Sequence, residues 1–325
     1  MSTWPISLDD VRAAEARIRP YLAKTACYTY PLLDAEVGAG IRVFVKHENF
    51  QPTNSFKIRN GMSFMTALPD AERARGVVAA TRGNHGLGLA YAGRTFGVRT
   101  TLCVPVGNNP DKNAAMRALG ARVIEDGRDY DEAVCIAERI VREEGATVAH
   151  STNDRNIVSG AATLTLELMD QIPTFDAMVI AVGGGSQAVG AMTVLRALRP
   201  GTRVYAVQPS GASATHDSVH AGRPLSYDRC DTFADGLATR STYDLTFGAL
   251  LEGLEDFVTV SDAEIAEAMR LLLRTTHSLV EGAGAAGLAG LIKLRERLAG
   301  QTIGIILSGG NADEATLKRV LLREI

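Results

Sequence analysis

Short apolar runs alternate with helical patterns along almost the whole chain, and this alternation leaves few folds open. Arg42–His47, Gly76–Thr81, Arg99–Val104, Arg122–Glu125, Thr147–His150, Ala177–Val182, Arg203–Val207 and Thr302–Leu307 read as strands. Most are short and rich in Val, Ile and Ala, as strands covered on both faces are. Between them Leu87–Phe96, Asp111–Leu119, Asp131–Glu144, Gln187–Leu198, Asp262–Thr275 and Gly284–Leu298 carry helical spacing, and Ser7 opens a first helix running to about Ile18. Such alternation builds parallel sheets with helices on both faces. One sheet of so many strands would curl or split, so an α/β fold with two open, mostly parallel-sheet lobes is expected. The 325 residues, 46% of them hydrophobic, suffice for two cores.

Four segments carry chemistry. Asn54-Ser55-Phe56-Lys57 sets a lysine just inside a helix start, with Asn54 and Ser55 as candidate caps. There the positive end of the helix dipole and any desolvation disfavour the ammonium, making the neutral, carbonyl-attacking amine accessible. Gly183-Gly184-Gly185-Ser186 joins an apolar strand to a helical pattern, so its backbone N–H groups form an anion cradle. Ile303–Leu307 reads as a buried strand ending in Ser308-Gly309-Gly310-Asn311. With Thr81-Arg82-Gly83-Asn84-His85-Gly86, these segments call for a phosphorylated ligand bearing an aldehyde.

Other function classes fit poorly. A net charge of −3 gives no basic surface for nucleic acid or anionic membrane. Cys27, Cys103, Cys135 and Cys230 are scattered without metal spacing and read as reduced packing residues of a cytoplasmic protein. Met1–Ile6 lacks the basic start and apolar core of a signal peptide, and no apolar run approaches the roughly 20 residues of a membrane span. The glycine run lacks the downstream strand-end acid of a dinucleotide site, because Arg203–Val207 leads into Gln208.

The chain resembles the fold-type II pyridoxal-phosphate enzymes, which are tryptophan synthase β-like, and among them the serine/threonine ammonia-lyase (dehydratase) and serine racemase branch. The matching residues are Ser55–Arg59, Gly83–Gly86, Gly183–Ser186, Ala234-Asp235-Gly236, Glu281 with Ala283-Gly284-Ala285, and Ser308–Asn311, in the family's order. The resemblance implies a large cofactor-binding lobe from residues 1–51 and 154–325 and a small mobile lobe from residues 52–153. It implies pyridoxal 5′-phosphate on Lys57, flanked by Phe56, Asn84, Gly183, Gly184, Gly185, Ser186, Gly236, Glu281 and Ser308. Lys57 and Ser308 would be catalytic, with Ser308 a neutral hydroxyl facing the pyridine nitrogen. Ser55, Thr81, Arg82, Gly83 and His85 would bind substrate, the Gly83–Gly86 amides gripping its carboxylate. Glu281 serves equally as a dipole-stabilised carboxylate at a helix start. The implied reaction is elimination of water from a β-hydroxy amino acid by a cytoplasmic homodimer. Racemisation, β-replacement and a non-catalytic vitamin-B6 carrier are the alternatives.

Three departures from that pattern stand out. The segment that often holds a divalent cation reads Gln208-Pro209-Ser210-Gly211-Ala212-Ser213-Ala214, with an amide and a methyl in place of carboxylates, so no metal is expected. Gly160-Ala161-Ala162-Thr163 replaces a Gly-Gln-Gly-Thr stretch. Arg82 stands where the branch carries a small residue; it either pairs outward with Asp126 or Glu132, or lines the pocket and reads an unusual side chain such as the second carboxylate of 3-hydroxyaspartate.

Overall fold

The computed structural model describes residues 4–128 and 130–325. Met1–Thr3, part of the segment read for a targeting signal, lie outside them. The described strands are β1 Cys27–Thr29, β2 Arg42–His47, β3 Val77–Ala80, β4 Thr100–Val104, β5 Arg122–Glu125, β6 Thr147–Val148, β7 Ala177–Ala181, β8 Arg203–Pro209, β9 Asp256–Val260 and β10 Thr302–Leu307. Six form one sheet in the order β1-β2-β10-β7-β8-β9, and four form a second, β5-β4-β3-β6. All pairings are parallel except β1 with β2.

The alternation of each central strand feeds two cores. In β7, Ala177 and Val179 join the core under the helix Gly282–Leu294, while Met178 and Ile180 join the core under Ser186–Leu198. Burial on both faces explains why β7 and β10 read as continuous apolar runs. The four-stranded sheet repeats the arrangement: Val77 and Ala79 face the helix Asn84–Phe96, and Val78 and Ala80 face Tyr130–Glu144.

The helix Lys57–Ala67 lies against both Asn84–Phe96 and Arg155–Gln171. Only glycine permits that approach, since a Cβ on Gly61 would fall on the backbone of Gly88 and Leu89. The first helix, Leu8–Ile18, is capped as its sequence suggests, by a reciprocal Ser7–Asp10 box. Edge strands β1 and β9 were not among the expected strands. The carboxyl ends of β3, β7 and β10 lead into the Thr81–Gly83, Val182–Gly185 and Ser308–Asn311 loops, the crevice where open α/β sheets bind ligands.

Candidate active site

The loop after β10 fixes Lys57. Phe56 N–H donates to the Ser308 carbonyl at 3.0 Å, Gly310 N–H donates to Asn54 O at 2.8 Å, and Ser55 bridges Gly309. Asn54 takes a left-handed φ of 52° to make this turn. It therefore does not cap the helix; Phe56 occupies the N-cap, and Ser55 Oγ accepts from Lys57 N–H at 3.2 Å. The Lys57 ammonium donates to one group, the Ser151 carbonyl at 3.2 Å, and lies 5.1 Å from the Phe56 ring centroid. Burial pushes its pKa down to about 8.

The glycine run presents donors. The carbonyls of Gly183, Gly184 and Gly185 are taken by Thr215 Oγ1, Thr246 Oγ1 and Val189 N–H. The N–H groups from Gly183 to Gln187 have no protein acceptor among the described residues, and the buried Gln187 Nε2 is also unpartnered. Gly185 sits at φ 95°, and a Cβ on Gly183 would come within 2.9 Å of the Gly236 carbonyl. This is a cradle for an oxyanion at a helix N-terminus.

Opposite it, Asn84 opens the helix Asn84–Phe96. Its Oδ1 accepts from Asn311 Nδ2 at 2.7 Å, and its Nδ2 donates to Glu281 Oε1. One amide hydrogen remains for the cavity. Glu281 is the N-cap of the helix Gly282–Leu294 yet makes no capping hydrogen bond through its side chain. Instead it faces Asn84 and, at 3.7 Å, the Lys112 ammonium, which decides against the dipole role alone. Ser308 Oγ donates to the Ala283 carbonyl at a long 3.3 Å, so its hydrogen is easily turned into the cavity.

The substrate-side expectations need revision. Thr81 Oγ1 accepts from both Gly83 and Gly86 N–H at 3.0 Å, which removes two donors expected for a carboxylate. The first-turn N–H groups of Asn84 and His85 remain. His85 is buried, and burial, with the nearby Lys57, lowers its pKa to about 3, so its ring is neutral. Its Nε2 contacts the Ala149 carbonyl at 2.9 Å and must carry the hydrogen, which leaves Nδ1 an acceptor unable to bind an anion. Ser55 is fully buried and does not line the cavity.

All the other expected site residues line one cavity of about 920 Å³. Sequence reasoning missed Lys112, His150, Tyr243 and the stretches 226–231 and 237–241 on either side of the Ala234-Asp235-Gly236 motif, which line it too. Lys112 is a lysine on an ordinary amphipathic helix, Pro110–Ala118, and only the fold reveals it 3.9 Å from Asp235 and packed under Gly83.

Residues 18–309 match the family model for pyridoxal-phosphate dependent enzymes. The chain belongs to that family. It is 34% identical over 316 residues to the L-threonine ammonia-lyase of Thermotoga maritima, covering 97% of this chain and 78% of that one. It is also 34% identical over 307 residues to an L-threo-3-hydroxyaspartate ammonia-lyase from Pseudomonas, covering 94% and 96%. The solved structure of maize serine racemase superposes with a TM-score of 0.93 at 30% identity, covering 99% and 98%. The cofactor of this family enzyme is pyridoxal 5′-phosphate, and the site fits it: a desolvated lysine for the aldehyde, unpartnered N–H groups for the phosphate, and a hydroxyl and an amide between them. Among the described residues no helix is long and apolar enough to cross a membrane.

Proposed function

We propose that this enzyme is an ammonia-lyase that removes water from a β-hydroxy amino acid to give a 2-oxo acid and ammonia. The names of its ammonia-lyase relatives support the reaction class. The observation that carries the assignment to this site is Lys57, held at the mouth of its helix with its amine desolvated to a pKa of about 8.

When bound, pyridoxal phosphate supplies an electron sink for charge at the substrate α-carbon. The chain's residues do the rest. The N–H groups of Gly183–Gln187, with Gly236 beside them, hold the phosphate. Lys57 would hold the cofactor, and as a free amine it is the base that takes the α-proton, a task suited by a pKa near neutrality. Phe56 packs beside it. Asn84, fixed by Asn311 and Glu281, turns its remaining amide hydrogen toward the cofactor ring. Ser308 would offer the ring nitrogen a neutral hydroxyl rather than a carboxylate. The N–H groups of Asn84 and His85 take the α-carboxylate.

In the elimination the Cα–H electrons become the Cα–Cβ double bond, and the Cβ–O bond breaks with the hydroxyl leaving as water, its second hydrogen being the proton that Lys57 took from Cα. Hydrolysis of the released unsaturated amine regains that water, so the net products are the 2-oxo acid and ammonium. In this reading residues 52–153 move as a small lobe joined to the rest across the cavity by pairs such as Asn109–Asp313 and Lys112–Glu281. A homodimer in the cytoplasm accords with four unpaired thiols and with exposed Tyr28, Leu32 and Phe50.

The test is ammonia and 2-oxo acid release from L-serine, L-threonine and L-threo-3-hydroxyaspartate, with borohydride trapping followed by peptide mapping. Release from at least one substrate, lost in Lys57→Ala, with the reduced label on Lys57, is expected. Label on another lysine, or full activity in Lys57→Ala, would refute the assignment.

A further inference from the structure

Among the described residues Arg82 is a cation without a counterion. It joins β3 to the Asn84 helix and lines the same cavity as Lys57, Asn84 and Ser308. Its Nε is buried and bonded to nothing, and it makes no ion pair among the described residues. Neither acid considered from the sequence serves it: Asp126 Oδ1 accepts from Gly127 N–H at 2.8 Å, and Glu132 pairs with Arg128. Of the carboxylates that line the cavity, Glu281 and Asp235 lie 3.7 and 3.9 Å from the Lys112 ammonium, and neither Asp228 nor Asp231 comes within ion-pair distance of Arg82. Arg82 also lines a smaller recess of about 190 Å³ with the 105–109 turn, Arg128 and Asp235.

A guanidinium stays protonated at any physiological pH, so it cannot relieve this position by losing charge. A half-buried guanidinium with no partner is a standing cost that an incoming anion removes. The substrate α-carboxylate already has donors of its own, the Asn84 and His85 N–H groups. The cofactor phosphate has the Gly183–Gln187 cradle. What remains unmatched is a second carboxylate on the substrate. The planar fork suits a carboxylate held through two N–H bonds.

We propose that Arg82 is the specificity-determining residue of this site and selects a β-hydroxy amino acid whose β-carbon bears a carboxylate, the 3-hydroxyaspartate class. This rests on the ammonia-lyase reading and deepens it. The selected carboxylate stays on the product, because the bond that breaks is Cβ–O of the hydroxyl; Arg82 binds and does not enter the bond changes.

Two measurements test it. The first is kcat/KM of the holoenzyme for L-threo-3-hydroxyaspartate, L-serine, L-threonine and O-phospho-L-serine, in wild type, Arg82→Ala and Arg82→Lys. The second is calorimetric binding of L-aspartate against L-alanine, neither of which carries a hydroxyl to lose. Hydroxyaspartate should lead in wild type, and its advantage over serine should fall by roughly 100-fold in Arg82→Ala, with Arg82→Lys between. Aspartate affinity should fall by a similar factor, and alanine affinity by less than about threefold. An equal loss for every substrate would assign Arg82 to the α-carboxylate and overturn the proposal. So would an unchanged substrate ratio, or a lead for O-phosphoserine, which would put the anion on the leaving group. Absence of ammonia from all four substrates would instead defeat the ammonia-lyase reading itself.

Discussion

Two positive charges two residues apart on one helix are treated in opposite ways. Arg59 is fully buried, and each of its five N–H groups has an acceptor: both Glu48 oxygens, both Glu167 oxygens and Thr163 Oγ1, at 2.8 to 3.2 Å. Lys46 completes the cluster with three acceptors, Glu167, Thr25 O and Gln171, at 2.8 to 2.9 Å. Two cations meet two carboxylates, and the set is neutral. Lys57, one half-turn earlier on that helix, has a single carbonyl contact and a depressed pKa, while Arg82 across the cavity makes no ion pair among the described residues and leaves its buried Nε unbonded. Matched charge fixes the backbone; unmatched charge waits for a ligand. The Arg59 cluster ties the helix to β2 and to the helix Arg155–Gln171, and this holds the unmatched lysine in place.

Breaking the matched side should have the largest effect. Arg59→Met leaves Glu48 and Glu167 buried with Lys46 and, at 3.9 Å from Glu167, the more exposed Arg19, and should cost about 3–5 kcal/mol of stability in urea titration. Arg82→Met removes no hydrogen bond or ion pair among the described residues and should shift the midpoint little in either direction. Equal losses from the two variants would erase the distinction drawn between the two regions.

The unmatched side is probed by pH. In the proposed reading, attachment of cofactor to the apoenzyme needs the neutral Lys57 amine, whose pKa is lowered to about 8 by burial. The rate should therefore rise with pH and level off above about 8, whereas an ordinary lysine would go on gaining up to about 10.4. Stopped-flow absorbance of the lysine-bound cofactor reads this directly. A rate still climbing at pH 10 would show that the amine is not desolvated.

Glu281→Gln should act more gently. It keeps the shape but weakens the hold on Asn84 and leaves Lys112 with the more distant Asp235 alone. A fall in kcat of roughly tenfold with little change in KM is expected, since Asn84 is positioned rather than removed. A loss confined to KM would place Glu281 in substrate binding instead.

Much of this was legible in the sequence, for identifiable reasons. Strands β2, β5 and β10 carry the expected bounds because their apolar runs end where polar or glycine residues begin. The edges β1 and β9 were missed: one is three residues long and antiparallel, the other is only half buried, and neither has a continuous apolar run. The glycine cradle and the Lys57, Asn84 and Ser308 positions could be named because their residue types are dictated by chemistry. The fate of each donor was not readable. Whether Thr81 spends Gly83 and Gly86 N–H, or His85 turns to Ala149, depends on side-chain placement that spacing does not encode. Lys112 gave no signal because an amphipathic helix uses lysine freely on its surface.

The smallest effect concerns metal, where a matched neutral pair stands in for charge. Gln208 Oε1 accepts from His216 N–H at 2.9 Å and Gln208 Nε2 donates to Thr239 Oγ1 at 3.3 Å, while Ala214 presents a buried methyl. The amide joins β8, the helix Ala214–Ala221 and the 226–241 segment without an ion. A hard divalent cation needs several oxygen ligands, most of them anionic, and these residues offer one neutral carbonyl that is already bonded. EDTA, or added Mg²⁺ or Ca²⁺, should therefore leave kcat and thermal stability within about 20% and 1 °C, changes below what one weak ligand contact contributes. The sharper variant is Gln208→Glu with Ala214→Asp, which restores two carboxylates and should introduce cation-dependent stabilisation absent from wild type. Strong, saturable activation of the wild-type enzyme would mean that the cation is held by other residues and that Gln208 is no substitute for it.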